Sequence, residues 1–171
     1  PIHHMQSRLK TIQSMLEKLK RKNYEVSINS AVKNLQDIAG IRVICSYVQD
    51  VYTIANLLVS QDDVHLVRMA DYIREPKPNG YRSLHLIVEI PVFLSEGRIL
   101  VPVEVQIRTI AMDFWASLEH SLRYKAQEYI PQHISDELQR VATDIASLDQ
   151  RMQAIHDQVD ELSDARSDNA T

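Results

Sequence analysis

The chain has 171 residues, 44% apolar and 25% charged, with only three Gly, which suits one folded domain with an appended helix and excludes a disordered body. A formal net charge of −4 argues against bulk nucleic-acid binding, and no apolar run approaches the roughly 18 residues needed to cross a bilayer. The single Cys45 cannot make an internal disulfide. It is expected to be a small core residue, in a protein of the reducing cytoplasm.

The chain opens at Pro1 without a Met, so sequence is expected to be missing before it. Charge is uneven. Residues 1–22 carry Arg8, Lys10, Lys18, Lys20, Arg21 and Lys22 against Glu17 alone, whereas the stretch from Gln132 onward is acidic. That asymmetry points to a local anion site.

Residues 6–22 read as an amphipathic helix with Leu9, Ile12, Leu16 and Leu19 facing the core. Lys10, Ser14, Lys18 and Arg21 form a second stripe, with Arg8 at the helix start. At 1.5 Å per residue that stripe is roughly 16 Å long, enough to run beside a triphosphate. Residues 31–37 read as a short helix, and Ala39-Gly40 turns the chain into a strand over 41–47. Ile41, Val43, Cys45 and Tyr47 share one face of it, and Arg42, Ile44 and Ser46 the other. Asp50 is a candidate cap for a helix over 51–60, and a strand follows at about 64–72.

Residues 76–80, Pro-Lys-Pro-Asn-Gly, are a turn by composition, with Gly80 supplying a positive φ or a close backbone approach. Tyr81 is read as an exposed aromatic beside it. A strand over 84–90 places His85 opposite Leu84, Leu86, Val88 and Ile90, and Pro91 weakens its end. Glu96-Gly97 returns the chain into a strand over 99–108, an antiparallel partner. Thr109 opens a helix to about Lys125, with Trp115, Leu118 and Leu122 on an apolar stripe. From about Ser135, a last helix carries Ile134, Leu138, Val141, Ile145, Leu148, Met152, Ile155, Val159 and Leu162 at alternating spacings of four and three. This heptad seam predicts self-association. The expected division is a domain over 1–128, an oligomerisation helix over 129–162 and a polar, frayed tail over 163–171.

The strand around 104 alternates strictly. Val101, Val103, Val105 and Ile107 fall on one face, and Glu104, Gln106 and Arg108 on the other. With Arg42 and His85 on matching faces, and Asp37 entering beside Arg42, these residues form a candidate floor for a nucleotide. Two carboxylates from separate segments, Asp37 and Glu104, can hold Mg²⁺, which favours oxygen ligands and bridges phosphates. Together with a basic helix and an aromatic ring, they supply what phosphoryl or pyrophosphoryl transfer requires. No Walker A pattern is present.

Five blocks occur in one order: Ser7-Arg8-Leu9-Lys10 with Ser14 and Lys18; Asp37-Ile-Ala-Gly-Ile-Arg42; Asn79-Gly-Tyr-Arg-Ser-Leu-His85; Glu104-Val-Gln-Ile-Arg-Thr109; and Asp113-Phe-Trp-Ala-Ser-Leu-Glu-His120 with Tyr124-Lys125. As a set they closely resemble the synthetase domain of the RelA/SpoT family, over residues 7–125. The short chain and heptad tail resemble its single-domain small alarmone synthetases, and Pro1-Ile-His-His-Met5 resembles the RelP-type branch more than the RelQ-type.

The resemblance implies an α+β fold, a mixed β-sheet flanked by helices and related to nucleotidyltransferases. It implies transfer of the β,γ-pyrophosphate of ATP to the 3′-hydroxyl of GTP or GDP, with no hydrolase activity, in a homotetramer. Arg8, Lys10, Ser14, Lys18 and Arg21 would hold ATP phosphates, and Arg42 would stack on adenine. Asp37 and Glu104 would bind Mg²⁺, Glu104 also accepting the hydroxyl proton. Tyr81 would stack on guanine, with Lys77, Arg82 and His85 near the acceptor's phosphates. Gln106 and Arg108 would complete the floor, and Asp113 would meet the guanine edge. Glu119 and His120 lean towards the site. His3 and His4 are candidate ligands for an inhibitory zinc ion. The alternative is a catalytically idle module binding guanine nucleotides or single-stranded RNA.

Overall fold

The computed structural model describes residues 1–95, 97–126 and 130–168. Glu96 of the expected turn, residues 127–129 at the expected domain boundary and residues 169–171 of the expected tail lie outside them. Five strands form one mixed sheet in the order β1-β2-β5-β4-β3. The strands are β1 (Ile2–Leu9), β2 (Ala39–Cys45), β3 (His65–Asp71), β4 (Leu84–Leu94) and β5 (Gly97–Thr109). β2 and β5 run parallel, and the other pairings are antiparallel.

The N-terminal stretch is not helical as far as Leu9. It is an exposed edge strand whose Gln6 lies opposite Arg42 and Arg8 opposite Gly40. Pairing with β2 satisfies an edge that would otherwise be bare, and this outweighs local helix propensity. Thr11 ends the strand in extended geometry. Its hydroxyl accepts from Ser14 N and so caps α1 (Ile12–Arg21). Leu9 and Ile12 are therefore exposed rather than in the core, and Leu19 carries the buried contact with Ala31 and Leu35.

α2 (Ile28–Asn34) starts three residues earlier than the sequence suggests, because the Ser27 hydroxyl accepts from Ser30 N. α3 (Val48–Val59) also starts earlier. Asp50 sits inside its first turn and accepts from Tyr47 N at 3.2 Å. Val51 and Ala55 of α3 cover one face of the sheet, packing on Val43, Cys45, Leu84, Leu86, Val88, Val103, Val105 and Ile107. Cys45 is free and fully buried, the core residue expected.

β4 does not stop at Pro91. It continues to Leu94, with Pro91 opposite Leu100. β3 pairs no further along β4 than Glu89, so beyond it β4 is an edge and Pro91 needs no N–H there. Gly97, at φ 129°, turns the chain into β5.

α4 (Ile110–Lys125) is capped by Thr109, as expected. Trp115 and Ala116 are buried, but Leu118 and Leu122 are about half exposed, so the inward stripe is narrower than the sequence implies. α5 (Gln132–Asp168) has 37 residues and extends past 162, where a frayed tail is expected. It docks through Leu138, Ala142 and Ile145 against Trp115, Ala116 and Tyr81. Trp115 Nε1 donates to Leu138 O at 2.9 Å, and Tyr47 stacks on His156 with ring centroids 4.1 Å apart. No described helix is long and apolar enough to cross a membrane.

Candidate active site

The face of the sheet opposite the α3-covered core is polar, and strand register arranges it in rows. His85, Gln106, Arg42 and Gln6 lie side by side across β4, β5, β2 and β1. The neighbouring row runs Arg68, Ile87, Glu104, Gly40, Arg8 across all five strands. Five of the sequence-predicted residues thus converge because alternation on separate strands falls into phase. Gly40 keeps the floor open beside Glu104. The space its side chain would take is bordered by the Arg8 side chain at 3.8 Å.

Two cavities open on this floor. The larger, about 510 Å³, is lined among others by Lys18, Asp37, Arg68, Tyr72, Lys77, Tyr81 and His85. The smaller, about 220 Å³, is lined by Gln6, Arg8, Gly40, Ile41 and Arg42. Glu104 and Gln106 line both, so Glu104 stands at the junction.

Asp37 Oδ2 is held by Lys10 Nζ and Lys18 Nζ, each at 2.5 Å. Burial alone would raise the Asp37 pKa, but the two lysine hydrogen bonds and charges outweigh it and hold the carboxyl below its usual value. Glu104 is likewise held down, chiefly by hydrogen bonding to His85, whose Nδ1 lies 3.6 Å from Glu104 Oε1. Both groups are therefore carboxylates at neutral pH. Asp37 Oδ1 is buried without a hydrogen-bond partner. An orphaned carboxylate oxygen and a second carboxylate on the same cavity are a donor set that suits a hard divalent cation. Among the described residues no cluster of three or more His, Cys, Asp or Glu forms a complete metal cage, so such an ion would draw its other ligands from phosphate or water.

The turn that carries Tyr81 is built by Gly80 at φ 90° and by Lys77, whose carbonyl accepts from Gly80 N and whose N–H donates to Tyr81 O. Tyr81 is half-buried rather than exposed. Its ring meets His85 and Tyr72 edge-on, and Lys77 Nζ lies 5.0 Å from its centroid. Asn79 Nδ2 donates to the buried Glu119 at 3.1 Å, and Glu119 is paired with Arg123. Glu119 thus anchors the turn from α4.

Several predicted residues lie elsewhere. Ser14 is bonded to the Thr11 hydroxyl, and Arg21 is exposed; neither lines the two cavities, and Lys22 takes the place on the rim. Arg82 turns away from the floor, donates to Ile73 O at 2.8 Å and lines a small cavity under α5 with Asp149. The carbonyl of Ile73 holds Arg82 on that side, away from the floor that Tyr81 and His85 line. His120 is exposed and outside both cavities. Asp113 pairs with Arg108 at 3.0 Å and with Arg42 at 3.5 Å, and lines neither cavity. His3 and His4 are exposed at the start of β1, away from both cavities, where a register shift between Ile2 and His4 interrupts the pairing with β2. Sequence reading missed Arg68, Tyr72 and Gln6. Alternation of Arg68 and Ala70 in β3 with Tyr72 just beyond its end was the signal that could have found the first two.

The region found in RelA / SpoT proteins matches residues 7–129. The chain is 47% identical over 160 residues to the GTP pyrophosphokinase YwaC of Bacillus subtilis, covering 94% of this chain and 76% of that protein. Its fold superposes on small alarmone synthetase 2 of Bacillus subtilis with a TM-score of 0.85 at 46% identity, over 92% of this chain and 82% of that one. It superposes on small alarmone synthetase 1 of the same organism, bound to its product pppGpp, with a TM-score of 0.86 at 40% identity, over 93% and 80%.

Proposed function

The chain belongs to the RelA/SpoT family, and from that premise we propose that it transfers the β,γ-pyrophosphate of ATP to the 3′-hydroxyl of GTP or GDP, giving pppGpp or ppGpp and AMP. The observation that carries this reading is the position of Glu104, an ionised carboxylate shared by two adjoining cavities. A transfer between two nucleotides needs one basic group where their reacting ends meet.

The smaller cavity takes the adenine end of ATP. Arg42 offers a planar guanidinium to the base, and Arg8 a fork to phosphate. Lys10 and Lys18, already gathered by Asp37, balance the triphosphate charge. The larger cavity takes the acceptor, with the Tyr81 ring against guanine and Lys77 beside its phosphates. Glu104 takes the 3′-hydroxyl proton as that oxygen bonds to the β-phosphorus. The bond from the β-phosphorus to the bridging oxygen of the α-phosphate breaks, and AMP leaves with that oxygen. Asp37 Oδ1 and Glu104 would hold Mg²⁺ with nucleotide oxygens, and the ion's contribution is neutralisation of phosphate charge.

The protein is further proposed to act in the cytoplasm as a homotetramer joined through α5, as a synthetase domain with an appended oligomerisation helix. The exposed heptad residues Leu148, Met152, Ile155, Val159 and Leu162 support that assembly.

The test is incubation with ATP, GTP and Mg²⁺, and then with EDTA. AMP and a 3′-pyrophosphorylated guanosine should form, and EDTA should stop both. Nucleotide binding without product would favour a catalytically idle module instead.

A further inference from the structure

Arg108 lines neither cavity and is 4% exposed. Its Nη2 donates to the Tyr81 hydroxyl at 2.6 Å and to Gln106 Oε1 at 3.0 Å, and its Nη1 to Asp113 Oδ1 at 3.0 Å. A guanidinium can only donate, so Gln106 and Tyr81 both accept from it, and each keeps a proton of its own to pass on. Gln106 accepts through its oxygen, and its amide nitrogen is left to donate to Glu104 Oε2, at 3.3 Å. Tyr81 accepts from Arg108, and its hydroxyl lies 2.7 Å from His85 Nε2, where its own proton can be donated. A neutral imidazole that accepts at Nε2 carries its proton on Nδ1, the nitrogen 3.6 Å from Glu104 Oε1. Two branches leave one buried guanidinium and end on the two oxygens of one carboxylate.

We propose that Arg108 is a positioning residue: through Gln106 on one branch and Tyr81 and His85 on the other, it aims the Glu104 carboxylate and fixes His85 in its Nδ1–H tautomer. The ring and the hydroxyl of Tyr81 then have separate tasks. The ring offers a face to a base, and the hydroxyl orients His85. The inference rests on the reading of Glu104 as the acceptor of the hydroxyl proton.

The test uses Tyr81→Phe, which keeps the ring and removes only the branch. In nucleotide-free and metal-free full-length protein, ¹⁵N NMR of the histidine rings, with the His85 signals assigned by their loss in His85→Asn, should show Nδ1–H in the wild type and a shift to Nε2–H in Tyr81→Phe. Turnover of ATP with GTP should fall about tenfold, the weight of one strong hydrogen bond, with KM for GTP within about twofold. Arg108→Lys, which keeps the charge but loses the fork, should lower kcat at least as far; if that variant does not fold, Tyr81→Phe still decides. An Nε2–H tautomer in the wild type, or a tautomer unmoved by Tyr81→Phe, overturns the chain of hydrogen bonds. A flipped tautomer with unchanged kcat, or a raised KM with kcat held, overturns the positioning role. Wild-type protein that makes no product overturns the transfer reading instead, and the tautomer still decides the hydrogen-bond chain.

Discussion

Gly80 and Ala142 meet so closely that a Cβ built on the glycine would stand 2.5 Å from the alanine Cβ. The contact ties the turn of the candidate acceptor cavity to the C-terminal helix. Gly80 also sits at φ 90°, where an L side chain is strained. Gly80→Ala should therefore cost roughly 1–3 kcal/mol and displace Tyr81. Urea denaturation and KM for GTP read the two effects, and an unmoved midpoint would contradict the close packing.

Tyr81→Ala removes both ring and hydroxyl. Stacking on a base contributes roughly 1–3 kcal/mol, so KM for the guanine nucleotide should rise by roughly 5- to 150-fold. An effect confined to ATP would contradict the assignment of the larger cavity.

Glu104→Gln keeps the shape of the floor but removes the base. Turnover should fall by roughly 10²–10⁴ while calorimetric binding of each nucleotide changes little. Retained turnover would remove Glu104 from the catalytic role.

Asp149 of α5 is 8% exposed and accepts a 2.6 Å hydrogen bond from the Thr109 hydroxyl. Burial pushes its carboxyl above the usual value, against the pull of that bond and of Arg82. Between the ordinary carboxyl value of 3.8 and the raised native one, the folded state keeps a proton that the unfolded state has lost. This contribution to stability is complete below the ordinary value and disappears as pH rises through the native one. Asp149→Asn keeps an acceptor for Thr109 and should flatten that decline. Denaturation midpoints followed over pH, wild type against variant, measure it; parallel profiles would contradict it.

Leu148 is 49% exposed on the heptad seam. Leu148→Asp places a charge on a face that suits another apolar helix, so assembly should weaken, and light scattering should report a lower mass. An unchanged mass would count against the seam as the joining surface.

The candidate site was only partly legible in the residues. Alternation placed Glu104, Gln106, Arg42 and His85 on matching faces, and register confirmed them as neighbours. Asp37 and Tyr81 also reach the cavity. Arg82 and His120 fit the pattern of the blocks but turn elsewhere, because a motif spacing does not say which way each side chain leaves the chain. Arg68 was missed although Glu104 and Arg8 of its row were found, since only the long-range pairing of β3 with β4 brings it into that row.

What the sequence determined on its own is what depends on near neighbours: strand alternation, the Thr109 cap, the glycine turn at Gly80 and the heptad spacing of α5. The tertiary structure alone decided that residues 2–9 pair as a strand, that Arg108 lies beneath the site, and that α5 closes on the Tyr81 turn. Each of these turns on a partner far along the chain, such as Gly40 for Arg8 or Ala142 for Gly80, and burial against a distant partner can outweigh the roughly 1 kcal/mol preferences that local sequence expresses.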